Sequence, residues 1–293
     1  MIGIVGGTGL YDLDGLTEQQ WRRVGSPFGE PSDELLFGRL DDQEVVFLPR
    51  HGRGHRIPPH EINFRANIDA LKRAGATAVI SVSAVGSLRA ELPPGTFVLV
   101  DQFIDRTLRG PKTFFGTGLV AHVSMAHPVC ARLVGELAGA ATDVGLPVAT
   151  SGTYLVMEGP QFSSHAESKM HIGLGCDVIG MTNMPEAKLA REAELHYATV
   201  AMVTDFDCWH DHEHVQVSDV VAMMHANAAN VRRLLQHAIP RIGRLAGPCA
   251  QGCDHALDHA ILTSPDARDP QLVERLGAVA GRVLRKGRGG LIP

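Results

Sequence analysis

Short runs of β-branched and aliphatic residues alternate along this chain with segments whose apolar residues recur at helical spacing. The first pattern suits buried strands and the second amphipathic helices, so the alternation predicts an α/β sheet with helices on both faces. The apolar runs predict strands over 1–6, 44–49, 77–83, 96–101, 148–157, 176–180 and 197–204. Helical periodicity predicts helices over 60–74, 130–144, 164–174, 184–195, 218–238 and 270–286. The clearest stripe is Val220, Met223, Met224, Val231, Leu234, Leu235 and Ile239, with Ser218 as a candidate N-cap and Pro240 as the stop. Ser164 and Glu167 have the spacing of a capping box for the 164–174 helix.

No repeat and no long linker interrupts the pattern. The 293 residues therefore read as one domain over 1–245, followed by a C-terminal extension of that domain, 246–293, that starts at a Gly247–Pro248 hinge. A hydrophobic fraction of 44% and a charged fraction of 20% describe a globule able to bury a full core. A net charge of −5 and a pI near 6.3 argue against a surface that coats nucleic acid. No apolar run approaches the length of a membrane span, and the chain opens on a strand rather than a basic leader, so a cytoplasmic protein is expected. The five cysteines at 130, 176, 208, 249 and 253, an odd number without a secretory signal, are expected to be reduced structural thiols; the only close pair, Cys249 and Cys253, lacks standard zinc-knuckle spacing and leaves a strained disulfide or an opportunistic metal site as the alternative.

Candidate chemistry sits where predicted strands end, the place at which open α/β sheets bind ligands. The run ending at Val203 continues Thr204-Asp205-Phe206-Asp207, putting two carboxylates one residue apart. Such a pair can accept from an exocyclic amine and, when one member is protonated, donate to a ring nitrogen, the edge that a 6-aminopurine offers. The turn Gly6-Gly7-Thr8-Gly9 follows the first strand and suits an oxyanion cradle. Arg50 and His51, in Pro49-Arg50-His51-Gly52-Arg53-Gly54-His55, suit an anion as well, with Arg50 shaped for bidentate capture. Ser83 and Ala84 end a further strand in small residues that allow a close approach. Phe162, beside Ser163, can stack on a flat heterocycle, and Thr182 adds a hydroxyl ahead of a Pro-started helix. The alternating His210, His212 and His214 have metal-ligand spacing, but they stand in a charged segment just ahead of a helix, and no metal is expected there.

The motifs GGTGLY, PRHGRGHRIPP, INFRANI, AVGSLR, DQFIDRT, MEGPQFSS, GMTNMPEAKLARE and TDFDCW, in this order, make the chain resemble the S-methyl-5'-thioadenosine phosphorylases of the trimeric purine nucleoside phosphorylase family. The likeness runs from Gly3 to about Leu235. It implies a single α/β/α domain around a mixed, partly barrel-like sheet, a homotrimer, and cleavage of a nucleoside by inorganic phosphate without metal or organic cofactor. It further implies that Thr8, Arg50, His51, Ser83, the Ala84 backbone and Thr182 hold phosphate. Ser83 stands where many relatives have threonine, which keeps the hydroxyl. Met181 would pack on the ribose with His55 near the sugar, Phe162 and Ser163 would meet the purine, and Asp205 and Asp207 would read N7 and the 6-amino group. His122 would reach the 5'-alkylthio pocket of a neighbouring subunit, lined by Val221 and Ala222, while Ser218 replaces an expected small apolar residue there.

Phosphate attacking C1' requires no enzymic nucleophile, so the chain must position the anion and protonate the leaving base. Asp205 is the expected general acid and Asp207 the alternative. An Asp at 205 favours adenine, since a 6-oxo group would set acceptor against acceptor. A 6-oxopurine or broad-specificity phosphorylase is the nearest alternative. A nicotinamide oxidoreductase lacks its third glycine and an acid-ended second strand, the place of which is taken by Leu16-Thr17-Glu18-Gln19. The nucleoside and phosphate are the expected partners, with no nucleic acid and no membrane.

Overall fold

The computed structural model describes residues 1–7, 10, 12–210 and 217–286. Its strands are β1 (Ile2–Gly6), β2 (Leu16–Arg22), β3 (Leu35–Leu40), β4 (Gln43–Pro49), β5 (Ala78–Ser87), β6 (Phe97–Val100), β7 (Gln102–Asp105), β8 (Val148–Ala149), β9 (Thr153–Val156), β10 (Val178–Gly180) and β11 (His196–Phe206). Its helices are α1 (Phe64–Arg73), α2 (Ala131–Asp143), α3 (His165–Gly173), α4 (Asn183–Glu192), α5 (Val217–Gly243), α6 (Pro270–Arg275) and α7 (Gly281–Lys286).

All strands join one 11-stranded mixed sheet that forks at β5 and does not close. On one side β5 pairs in parallel with β1, from Ile2 opposite Ala78 to Val5 opposite Ser81, and then antiparallel with the short β10. On its other side β11 runs parallel along the whole of β5, from His196 opposite Ala78 to Phe206 opposite Ser87. Because β4, β1, β5 and β11 are mutually parallel, their carboxyl ends open on one edge. That edge carries the site.

Alternation along the central strands feeds two cores. Val79 and Val85 of β5 point into one, with Ile68, Leu71, Leu189 and Ala190 of α1 and α4. Ala78, Ile80 and Val82 point into the other, with Leu133, Leu137, Val231, Leu234 and Leu235 of α2 and α5. Strands buried on both faces read as continuous apolar runs, the reason the central ones are visible in the sequence. The C-terminal extension contributes to both cores, through Leu257, Leu276 and Val279 on one side and Cys249 and Cys253 on the other.

Several boundaries differ from expectation. β2, β3 and β7 have no predicted counterpart, and β2 buries only its leading Leu16 fully, so it has no alternating signature. The run 148–157 is two strands separated near Gly152, where a side chain would come within 2.8 Å of Val98. The predicted helix 60–74 begins at Phe64, capped by Asn63, after a 3-10 turn at Pro59–Glu61. Pro240 does not end α5, which runs on to Gly243, and Ser218 lies inside the helix rather than at its cap. The predicted 270–286 helix splits into α6 and α7. The capping box of α3 forms as expected, with Ser164 accepting from Glu167 and Glu167 answering on the Ser164 backbone.

Candidate functional site

Antiparallel pairing of β10 with β5 sets Ile179 opposite Gly86, so the chain leaving β10 runs back along β5 toward Ser83. Thr182 Oγ1 accordingly lies 3.1 Å from Ser83 Oγ, and the Tyr154 hydroxyl lies 3.1 Å from the same Ser83 oxygen. Ser83 and Thr182 are buried, and Tyr154 is fully so. Three hydroxyls converging in this way can rotate their protons toward an anion. Gly180 makes the arrangement possible, because a Cβ there would sit 2.0 Å from the Tyr154 oxygen.

Arg50 follows β4 and is 2% exposed. Its guanidinium is not spread toward an open cradle. Nε and Nη2 pair with both carboxylate oxygens of Glu186 at 2.8 and 3.1 Å, Nη1 donates to the Val82 carbonyl, and Nη2 also donates to Ser81 Oγ. The two-pronged face expected to capture an oxyanion is thus occupied by a carboxylate of α4. Next to it, His51 Nδ1 lies 2.8 Å from the Ile57 carbonyl, which fixes a proton on Nδ1 and leaves Nε2 as an acceptor. Burial is the main reason its pKa falls from 6.5 to about 4, so the ring is neutral at physiological pH. The His55 ring stacks on it at 4.2 Å, from a backbone with positive φ of 54°.

The acid pair stands at the far end of β11, past a bulge between Val203 and Asp205. Asp205 Oδ2 accepts from the Thr204 hydroxyl at 2.7 Å. Asp207 is 4% exposed, and its Oδ2 has no hydrogen-bond partner among the described residues. The two converge on Gly86, where a Cβ would lie 3.0 Å from Asp205 Oδ1 and 3.4 Å from Asp207 Cβ. Beside them, Cys208 Sγ donates to the Ser163 carbonyl and the His165 ring contacts the Cys208 carbonyl, fastening the 162–165 turn to the acids. Phe162 on that turn is 45% exposed, and no ring stacks on it among the described residues.

Met181 packs against Gly159, and its carbonyl accepts from Arg109 Nη2 at 2.6 Å. Arg109 also holds the Met157 and Pro59 carbonyls, so one buried guanidinium clamps the loops on both sides of the cradle. The backbone of Ala84 belongs to β5, and its carbonyl accepts from Ser83 Oγ. His122 is exposed, and its backbone N–H binds the Ala260 carbonyl of the extension. Val221 is 43% exposed on the open face of α5. Among the described residues, no hydrogen bond or ring contact joins these last two to the strand-end cluster, whereas Thr8, His212 and His214 lie outside the described residues.

Sequence reasoning missed Glu186, Ser81, Asn183, Tyr154 and Arg109. Glu186 also accepts from Ser81 Oγ at 2.7 Å and from the Tyr197 hydroxyl at 2.9 Å. Asn183 donates to that hydroxyl and to Thr199 Oγ1, completing a buried network beneath the cradle. The available signal was weak: polar residues in the otherwise apolar runs of β5 and β11.

A profile of the phosphorylase superfamily matches residues 1–240. The chain is 57% identical over 285 residues to an S-methyl-5'-thioadenosine phosphorylase of Rhodospirillum rubrum, covering 97% of each protein. It is 56% identical over 286 residues to one from Cereibacter sphaeroides, covering 97% of this chain and 99% of that one. Among solved structures, it superimposes with a TM-score of 0.90 on a methylthioadenosine phosphorylase from an antarctic soil metagenomic library, at 43% identity and with 95% and 98% of the chains covered. A variant of the Schistosoma mansoni adenosine/methylthioadenosine phosphorylase in complex with adenine matches at a TM-score of 0.80 and 40% identity, covering 84% of this chain and 92% of that one.

Proposed function

The chain belongs to the phosphorylase superfamily, and from that premise we infer that it cleaves S-methyl-5'-thioadenosine with inorganic phosphate, releasing adenine and 5-methylthioribose 1-phosphate. It is a pentosyltransferase of purine and methionine salvage. The observation that carries the reading for this molecule is the acid pair beside Gly86, half-buried Asp205 and buried Asp207, whose Oδ2 has no donor among the described residues.

Phosphate lies over Ser83, Thr182 and the Ala84 backbone, and the family resemblance assigns the Thr8 hydroxyl to the same anion. Arg50, its charge matched by Glu186, orders Ser81 and Val82 beneath the cradle, while neutral His51 offers Nε2 as an acceptor for a hydroxyl of the phosphate. This placement sets the nucleophile under the ribose and replaces water with fixed dipoles. As the glycosidic bond lengthens, Asp205 delivers a proton to N7 and Asp207 accepts from the 6-amino group through its unsatisfied oxygen. Phe162 and Ser163 cover the base, Met181 the ribose, and His55 the sugar edge.

Neither metal nor organic cofactor takes part in this chemistry, and the enzyme works as a cytoplasmic homotrimer in which His122 and Val221 shape a 5' pocket between subunits. Support comes from apolar side chains left exposed on the isolated chain, Leu108 at 93%, Leu262 at 67% and Val221 at 43%. Residues 246–293 act as part of the same domain, a reading supported by their share in both cores.

The test is adenine release from methylthioadenosine with and without phosphate, beside methylthioinosine. Release should depend on phosphate and methylthioinosine should be slow. Asp205→Asn should lower activity on methylthioadenosine by roughly 10²–10⁴-fold and shift preference toward methylthioinosine. Release without phosphate would sink the phosphorylase reading, and an unchanged base preference would remove Asp205 from base recognition.

A further inference from the structure

Away from the strand carboxyl ends, at the opposite end of β11, four potential ligands meet. Cys130, His196, Cys249 and Cys253 each bring a ligand atom into one cluster, all within 4.8 Å of one another. Cys130 stands immediately before α2, His196 opens β11, and the other two flank the tight turn in which the Gly252 N–H binds the Cys249 carbonyl. Three cysteines are almost fully buried, at 1%, 7% and 2%, and His196 is partly so. We propose that these residues form a structural zinc site of Cys3His type that fastens the C-terminal extension to the base of the sheet.

Distances support a shared ion. Cys130 Sγ lies 3.9 Å from Cys249 Sγ and 3.4 Å from His196 Nδ1. A tetrahedral zinc with Zn–S near 2.3 Å and Zn–N near 2.0–2.1 Å places two sulfurs about 3.8 Å apart and a sulfur and nitrogen about 3.5 Å apart. The donor set is soft sulfur plus imidazole, the combination that selects zinc over magnesium or calcium. A disulfide would use two of the sulfurs and leave a third thiol and an imidazole buried beside it. One ion engages all four.

The surroundings suit the charge. Three thiols lose their protons to solvent on binding, so the loaded site carries one net negative charge. The amino end of the 13-residue helix α2 faces it, the Arg132 guanidinium binds the Ala246 and Gly247 carbonyls, and Arg191 binds the Gln251 carbonyl. The scaffold around the ligands is already tied: the Cys130 N–H binds the Tyr197 carbonyl and the Ala131 N–H binds Gln251 Oε1. The ion lies outside the phosphorolysis chemistry and acts on stability.

The experiment uses the full chain purified under reducing conditions without added metal or chelator. Zinc measured by mass spectrometry should be equimolar with protein, and cobalt exchanged into the site should give thiolate charge-transfer bands and the intense visible bands of a tetrahedral ion. Cys253→Ala and Cys249→Ser should each lose the metal and melt several degrees lower, while Cys176→Ala keeps it. Three results would overturn the site: no metal even after dialysis against zinc with reductant, metal retained in either variant, or, in a parallel preparation made without reductant, cysteines that resist alkylation of the denatured protein until reduced.

Discussion

Asp207 keeps a carboxylate oxygen buried without a donor among the described residues, a state that costs about 1–3 kcal/mol until a partner arrives. A substrate amine would be such a partner, so under the proposed function the same group that weakens the empty protein would read the base. Asp207→Asn removes the buried charge at nearly constant shape. Its melting temperature should stay the same or rise, while kcat/KM for methylthioadenosine falls about 10²-fold or more, since an amide nitrogen turned toward the 6-amino group sets donor against donor. A variant that loses stability as well as activity would make Asp207 a structural acid. Residues of this kind were legible because acids and hydroxyls ending an apolar strand have few packing reasons to be there. Glu186 was not legible, since an acid in the first turn of a helix is ordinary, and only the fold reveals that Arg50 meets it.

Among the elements, α4 carries more than its periodicity suggests. Through Glu186 and Asn183 it reaches under β5 and β11, and through Arg50 it fixes the loop after β4. The ion pair is 2% exposed on both sides. Removing one member leaves the other charged and buried, a loss of about 3–5 kcal/mol. Glu186→Leu should therefore lower the denaturation free energy by about that amount, measured in urea. Replacing Arg50 and Glu186 together by apolar residues should recover most of the stability without restoring phosphate binding. Central strands showed in the sequence because both faces are apolar. The edge strand β2 did not, because pairing with β3 rather than burial defines it.

At the scale of the whole molecule, the α/β class and the mixed sheet were legible, since they follow from element order, and the candidate site was sought where parallel strands end. The cluster of Cys130, His196, Cys249 and Cys253 was not, because its ligands come from three separated segments and only two of them share a recognisable spacing. The fork at β5 was likewise invisible, as pattern alone does not say that one strand serves three neighbours.

The helix α5 divides unevenly between these worlds. From Val231 through Ile239 its inward residues are fully buried in the core, whereas Val217 and Val221 in its opening turns are 65% and 43% exposed. A helix buried along one half and exposed along the other does not open as a unit. Amide deuterium uptake along α5 should run from rapid near 217–225 to as slow as global unfolding beyond 231, a gradient within a single helix. Binding of a methylthio nucleoside analogue with phosphate should flatten that gradient from the exposed end alone. Uniform protection along the helix, with or without ligand, would show that its opening turns are held as firmly as its root.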